Sequence, residues 1–165
     1  MEQGIIPENK TQMCKLTGNS CDEKAMLSII NDEFGAKNVD PNTYSPLSLA
    51  FIGDSIFDVV IKTVIVEKAN CQVNKLQTKT SKVVRATSQA LIVDALKEEL
   101  TEEEANILRR GRNAKPYTKA KNASYGEYCK ATGLEALVGY LYLKGETNRA
   151  VSLIKTGLDK AGIEL

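Results

Sequence analysis

Apolar residues recur at helical spacing from Ser20 onward, and no alternation of period two persists long enough to predict a strand. Residues 1–19 are mixed and polar, with Gly4, Pro7 and Gly18, and read as a lead into the fold. Ser20-Cys21-Asp22-Glu23 has the form of a capping box and opens a short helix that Gly35 stops. Asp40-Pro41-Asn42 is turn chemistry, and Ser45 caps a helix with Pro46 at its first position. That helix is predicted to run to Ala69, with Asn70 as its exit. A third helix starts near Asn74 and a fourth near Ser88. Thr101-Glu102-Glu103-Glu104 caps a fifth, with Arg109 and Arg110 in its last turn. Pro116 ends regular structure, and Ser124-Tyr125-Gly126-Glu127 caps the next helix, which reaches Lys144-Gly145 with Gly133 as a candidate break. A last helix spans Thr147 to Ala161 and stops at Gly162. The fold class is all-α, with six to eight helices.

Two of these segments are unusual. Leu47–Val66 is apolar on almost every side, which marks a central helix, yet it carries Asp54 and Asp58 one turn apart, with Lys62 a turn further on. Repulsion and desolvation make such a pair unfavourable unless a cation, a basic partner or open solvent compensates. Gly53, just before Asp54, admits the close approach of a neighbour. Leu134–Leu143 is ten residues with one charge, Glu135. A carboxylate there is expensive unless it faces a cleft or a metal. Asp54 and Glu135 stand 81 positions apart, so only packing of the two helices unites them. Hard oxygens without nitrogen or thiolate suit Mg²⁺ or Mn²⁺, and such a pair beside phosphate-binding groups describes a phosphoryl-transfer site. The alternative from pattern alone is that each acid pairs with Lys or Arg at the edge of a helical core.

Composition narrows the chemistry. The chain has 165 residues, no His and four Cys without a CxxC pair, which excludes Ser-His-Asp and Cys-His nucleophiles and His-ligated zinc. Its opening is polar and acidic, and no apolar run reaches the length of a membrane span, so a cytoplasmic protein with reduced thiols is expected. The net charge of +1 conceals local excess: residues 101–130 carry seven basic and four acidic groups. Arg109–Lys121 holds six basic residues and no acid, and Lys75–Arg85 holds four and none. Lys75, Lys79, Lys82 and Arg85 fall three or four apart, as one basic helical face. Such bands suit a phosphate backbone, or else form solvated faces balanced by acids elsewhere.

Phe51-Ile52-Gly53-Asp54-Ser55, together with Leu134-Glu135-Ala136-Leu137-Val138-Gly139-Tyr140-Leu141-Tyr142-Leu143, resembles the ribonuclease III catalytic domain. Arg109-Arg110-Gly111-Arg112-Asn113-Ala114-Lys115, followed by Lys121-Asn122, is similar to the mini-ribonuclease III branch, whose short members lack a double-stranded-RNA-binding domain. The likeness runs over residues 45–160 or so. It divides the chain into an N-terminal extension, 1–44, partly helical or flexible, and a catalytic domain, 45–162. It implies that Asp54 and Glu135 are the catalytic, metal-binding acids, with Mg²⁺ as cofactor and Mn²⁺ able to substitute. The larger enzymes have a Glu where this chain has Ala50 and an Asp where it has Thr132; the mini branch lacks both. Asp58 is a candidate outer-shell ligand, against a structural or solvated role.

The resemblance further implies hydrolysis of double-stranded RNA by a symmetric homodimer. The substrate class is precursor 23S ribosomal RNA, with a ribosomal protein sometimes assisting. RNA-binding residues are then Arg109, Arg110, Arg112, Asn113, Lys115, Lys119 and Lys121, with Lys75, Lys79, Lys82 and Arg85 as a second band. Phe51 is the candidate dimer contact. A catalytically silent helical RNA-binding or ribosome-associated protein on the same fold is the alternative.

Overall fold

The computed structural model describes residues 23–36, 39–69, 71–114 and 124–165, which form seven α-helices, one 3-10 turn and no strand. The chain divides into two compact units, Met1–Asn38 and Val39–Leu165. The first contains α1 (Glu23–Phe34), which ends at Gly35, in left-handed conformation with φ 60°. The Ser20–Asp22 part of its expected capping box lies outside the described residues.

The second unit holds α2 (Pro46–Lys68), α3 (Val73–Val84), α4 (Ala86–Ala95), α5 (Glu102–Asn113), α6 (Tyr125–Lys144) and α7 (Thr147–Ala161). Local chemistry starts three of them as the sequence predicts. The Ser45 hydroxyl accepts from the Ser48 amide at 3.0 Å, with Pro46 at the first helical position. Thr101 with Glu104, and Ser124 with Glu127, form reciprocal capping boxes.

α6 is the centre. Every residue from Ala131 to Tyr142 except Glu135 is buried. It packs most extensively on α2, then on α5 and α4. α2 and α6 meet backbone to backbone: a Cβ on Gly53 would lie 1.7 Å from the Glu135 carbonyl oxygen, and one on Gly139 would lie 2.0 Å from that of Leu49. Phe57, Ile61 and Ile65 of α2 and Leu134, Leu137 and Leu141 of α6 complete the core around this crossing. Full burial of such a side chain contributes about 1.5–3 kcal/mol, enough in sum to hold a charged group in an unfavourable place.

α7 is fastened to α5 by an ion pair whose acid is buried and whose arginine is half-buried. The Arg149 guanidinium donates to Glu104 Oε1 at 2.7 Å and Oε2 at 2.9 Å, and to the Glu99 carbonyl at 2.8 Å. Glu104 is thus held by Arg149 and by the Thr101 amide at once. Its carboxyl sits below the usual range, chiefly through Arg149.

Four expectations need correction. α6 is continuous through Gly133, because the missing side chain admits the neighbouring α5; a Cβ there would come within 2.8 Å of the Leu108 carbonyl oxygen. α5 runs on to Asn113, so its last turn carries Arg110 and Arg112, and Arg109 lies a turn inside. α4 starts at Ala86, two residues before Ser88. Finally, Arg85 does not continue the face of Lys75, Lys79 and Lys82. Its backbone is extended (φ −66°, ψ 150°), which ends α3 at Val84. The Ser88 hydroxyl closes this turn by accepting from Arg85 Nε at 3.1 Å and donating to the Lys82 carbonyl at 2.6 Å.

Candidate active site

Gly53 lies against the backbone of Glu135, and the next residue, Asp54, therefore stands at the same crossing as the Glu135 carboxyl. The structure brings together two acids that the sequence separates by 81 positions. Asp54 is exposed on α2, whereas Glu135 is the one residue of the buried α6 stretch that is not fully covered.

Their electrostatics show two like charges with too little compensation. Burial pushes the Glu135 carboxyl up from 4.5 to about 7; the Asp54 charge adds to the rise, and a hydrogen bond with the Gln89 side chain opposes it. Asp54 is raised too, first by burial and then by Asp58, with Lys62 pulling the other way. That lysine is already engaged: Lys62 Nζ donates to Asp58 one turn back. Among the described residues, neither Asp54 nor Glu135 forms an ion pair with a basic group.

This donor set fits a divalent cation. Two carboxylates stand at one helix crossing, one of them largely desolvated and with only a neutral amide as partner, and a doubly charged ion would relieve both the repulsion and the burial penalty. No cluster of three or more acidic or cysteine side chains suited to a metal occurs among the described residues. Ala50 is buried, and Thr132 is buried with its hydroxyl donated to the Tyr128 carbonyl at 3.1 Å, so neither position offers a further ligand.

The basic groups are distributed unevenly. Lys75, Lys79, Lys82 and Arg85 are exposed. On α5, Arg109 donates to Asn106 Oδ1 at 2.8 Å and Arg110 to the Tyr44 carbonyl at 3.3 Å, while Arg112 and Asn113 are exposed. Ser45, Pro46 and Leu47 at the start of α2 join Arg109, Arg110, Asn113 and Ala114 around an open cleft of about 550 Å³. Lys115, Lys119 and Lys121 lie outside the described residues. Phe51, three residues before Asp54, is 82% exposed although it belongs to the central helix. Cys71 and Cys129 are free thiols, the second buried.

Gln89 was not among the residues singled out from the sequence. The available signal was a lone amide in Ala90-Leu91-Ile92-Val93 surroundings, on a helix that is apolar on nearly all sides.

A family model described as the Ribonuclease III domain matches residues 47–146, which includes both acids. The chain belongs to the ribonuclease III family. Within it, this chain is similar to the mini-ribonuclease 3 of Symbiobacterium thermophilum, at 40% identity over 73% of this chain and 92% of that one. It is also 43% identical to the mini-ribonuclease 3 of Staphylococcus aureus, over 67% of this chain and 84% of the relative. A crystal structure of a Fusobacterium nucleatum protein superposes with a TM-score of 0.64 at 30% identity, covering 70% of this chain and 93% of that one. The all-helical fold and the mini-ribonuclease III branch inferred from the sequence are therefore both borne out, and the chain is an endoribonuclease. None of its described helices is long and apolar enough to cross a membrane.

Proposed function

We propose that this ribonuclease III family member is a Mg²⁺-dependent endonuclease of double-stranded RNA, with Mn²⁺ able to substitute. Residues 45–162 form its catalytic domain and residues 1–44 an extension to it. The observation that carries this reading is the meeting of Asp54 and Glu135 at a helix crossing, without a basic partner for either. A protein that only bound RNA would gain nothing from that arrangement, which weighs against the catalytically silent alternative.

Asp54 and Glu135 would hold the cation, and a divalent ion there supplies an acidified water and stabilisation of charge on the phosphodiester oxygens. Asp54, open to solvent, is the side of the site that RNA reaches. Glu135, embedded in α6, is fixed by the core. Asp58, paired with Lys62, acts at one remove by shaping the charge around Asp54. The lysines of α3, Arg85 and the Arg109–Lys121 segment supply charge for the phosphates of a duplex, whose recognition rests on backbone geometry more than on base edges. The working unit is a homodimer that includes Phe51 in its contact, which gives two Asp54–Glu135 pairs for two strands. The physiological substrate is precursor 23S ribosomal RNA in the cytoplasm, with a ribosomal protein on the substrate as a further partner.

The test is cleavage of a uniform RNA duplex with and without Mg²⁺ by the wild type, Asp54→Asn and Glu135→Gln. Both variants should lose cleavage while retaining duplex binding, and Asp58→Asn should be milder. Turnover within about tenfold of wild type in either acid variant would sink the assignment.

A further inference from the structure

Gln89 of α4 is 1% exposed, in a helix whose other inward residues include Ala90, Ile92 and Val93. Its Nε2 donates to the Val84 carbonyl at 3.1 Å, and where α4 packs on α6 its side chain lies near enough to the Glu135 carboxyl to pull that group's raised pKa back down. A backbone carbonyl and a carboxylate are both acceptors, so the amide has to turn its NH₂ group to both. Its oxygen is then left over, and Gln89 Oε1 is indeed buried without a partner. A buried acceptor without a hydrogen bond lowers stability, and an apolar side chain of the same length would remove that orphan, though it would also remove the donor to the Val84 carbonyl. The amide is thus poorly chosen for packing and well chosen for holding a carboxylate.

We propose that Gln89 is a positioning residue for RNA cleavage: braced on the Val84 carbonyl at the α3–α4 junction, it fixes the orientation of the Glu135 carboxylate beside Asp54. The inference rests on Glu135 being a reactive acid, as argued above. The brace is rigid, because the same junction is closed by the Arg85–Ser88–Lys82 hydrogen bonds. A carboxylate on a long, rotatable side chain needs such a support to keep its lone pairs aimed at one point.

Gln89→Met, close in shape and unable to donate, separates positioning from packing. Positioning predicts a melting temperature without metal close to the wild type, since one orphaned acceptor replaces another, a kcat on duplex RNA at least tenfold lower at saturating Mg²⁺, and a KM for the duplex within twofold. Gln89→Asn keeps the amide but is one methylene too short to span Val84 and Glu135, and should lose kcat in the same direction. A folded Gln89→Met or Gln89→Asn protein with wild-type kcat overturns the inference. So does a Gln89→Met protein that melts well below wild type yet retains wild-type kcat in its folded fraction. Glu135→Gln, assayed in parallel, distinguishes the two levels. Wild-type turnover in that variant defeats the reading of Glu135 itself, whereas an inactive Glu135→Gln beside a fully active Gln89→Met defeats only the role of Gln89.

Discussion

A methyl group on Gly53 would stand 1.7 Å from the carbonyl oxygen of Glu135, so the residue just before Asp54 is in backbone contact with the other acid of the pair. The atom it meets belongs to the buried middle of α6 and cannot swing aside. Gly53→Ala must therefore push α2 and α6 apart, which loosens the core and separates Asp54 from Glu135 together. A loss of at least about 3 kcal/mol is expected, at or beyond the upper end of ordinary overpacking, along with loss of cleavage. Urea unfolding measures the first. Gly126→Ala is the control: a Cβ there meets nothing, and the change should be neutral or stabilise by up to about 1 kcal/mol. Equal stability of the two variants would contradict the crossing as described.

The Glu135 carboxyl makes stability depend on pH. Its pKa is raised from 4.5 to about 7 on folding, mainly by burial, so the folded protein keeps a proton that the unfolded chain has already released. The group therefore weighs nothing on stability below about pH 4.5, destabilises progressively as pH rises to about 7, and levels off above that, at about 3 kcal/mol in all. Glu135→Gln removes this slope. Without divalent ions it should be more stable than wild type at about pH 8 and indistinguishable at about pH 4, by urea unfolding at each pH. Mg²⁺ should narrow the difference at high pH by binding the wild type preferentially. A difference that is the same at both pH values would show that burial of the charge is not its cause.

Salt dependence tests the arginines. Replacing Arg109, Arg110 and Arg112 together with Ala should weaken duplex binding and lower the salt slope by up to about one unit for each phosphate that is no longer neutralised. The structure separates their contributions. Arg110→Ala alone should also lower stability by about 1 kcal/mol, because Arg110 donates to the Tyr44 carbonyl, whereas Arg112→Ala should leave stability unchanged. An unaltered salt slope in the triple variant would return these residues to the role of a solvated face.

Phe51 tests assembly. It is 82% exposed in the second turn of the fold's most apolar helix, so a monomer gains little from it. Phe51→Glu should shift the mass in sedimentation equilibrium from dimer toward monomer and depress cleavage, with the thermal stability of the monomer unaffected. A variant that stays dimeric and fully active would remove Phe51 from the contact.

The sequence made most of the framework legible because its signals are local. Ser45, Thr101 and Ser124 act as caps within one turn of their own chain, and α6 declares itself by nine apolar or small residues around a single acid. The pairing of Asp54 with Glu135 could be suspected only because both were costly where they stood. What stayed hidden depends on partners distant in sequence. Gln89 acquires meaning from a carboxyl 46 residues later, and Glu104 from Arg149, 45 residues on. Gly133 has the sequence character of a helix break and instead receives the Leu108 carbonyl of another helix. Arg85 keeps the spacing of a helical face while its backbone turns away, a change no periodicity records.

The α2–α6 crossing also orders events in time. Asp54 is synthesised 81 residues before Glu135, and α2 alone has nothing of its own to cover the side that α6 buries. A growing or truncated chain that ends before α6 thus carries one acid of the pair, on a helix without its main partner. The acid pair comes into existence only as the core closes. An unfinished chain, still surrounded by ribosomal RNA, holds half of the proposed cutting site.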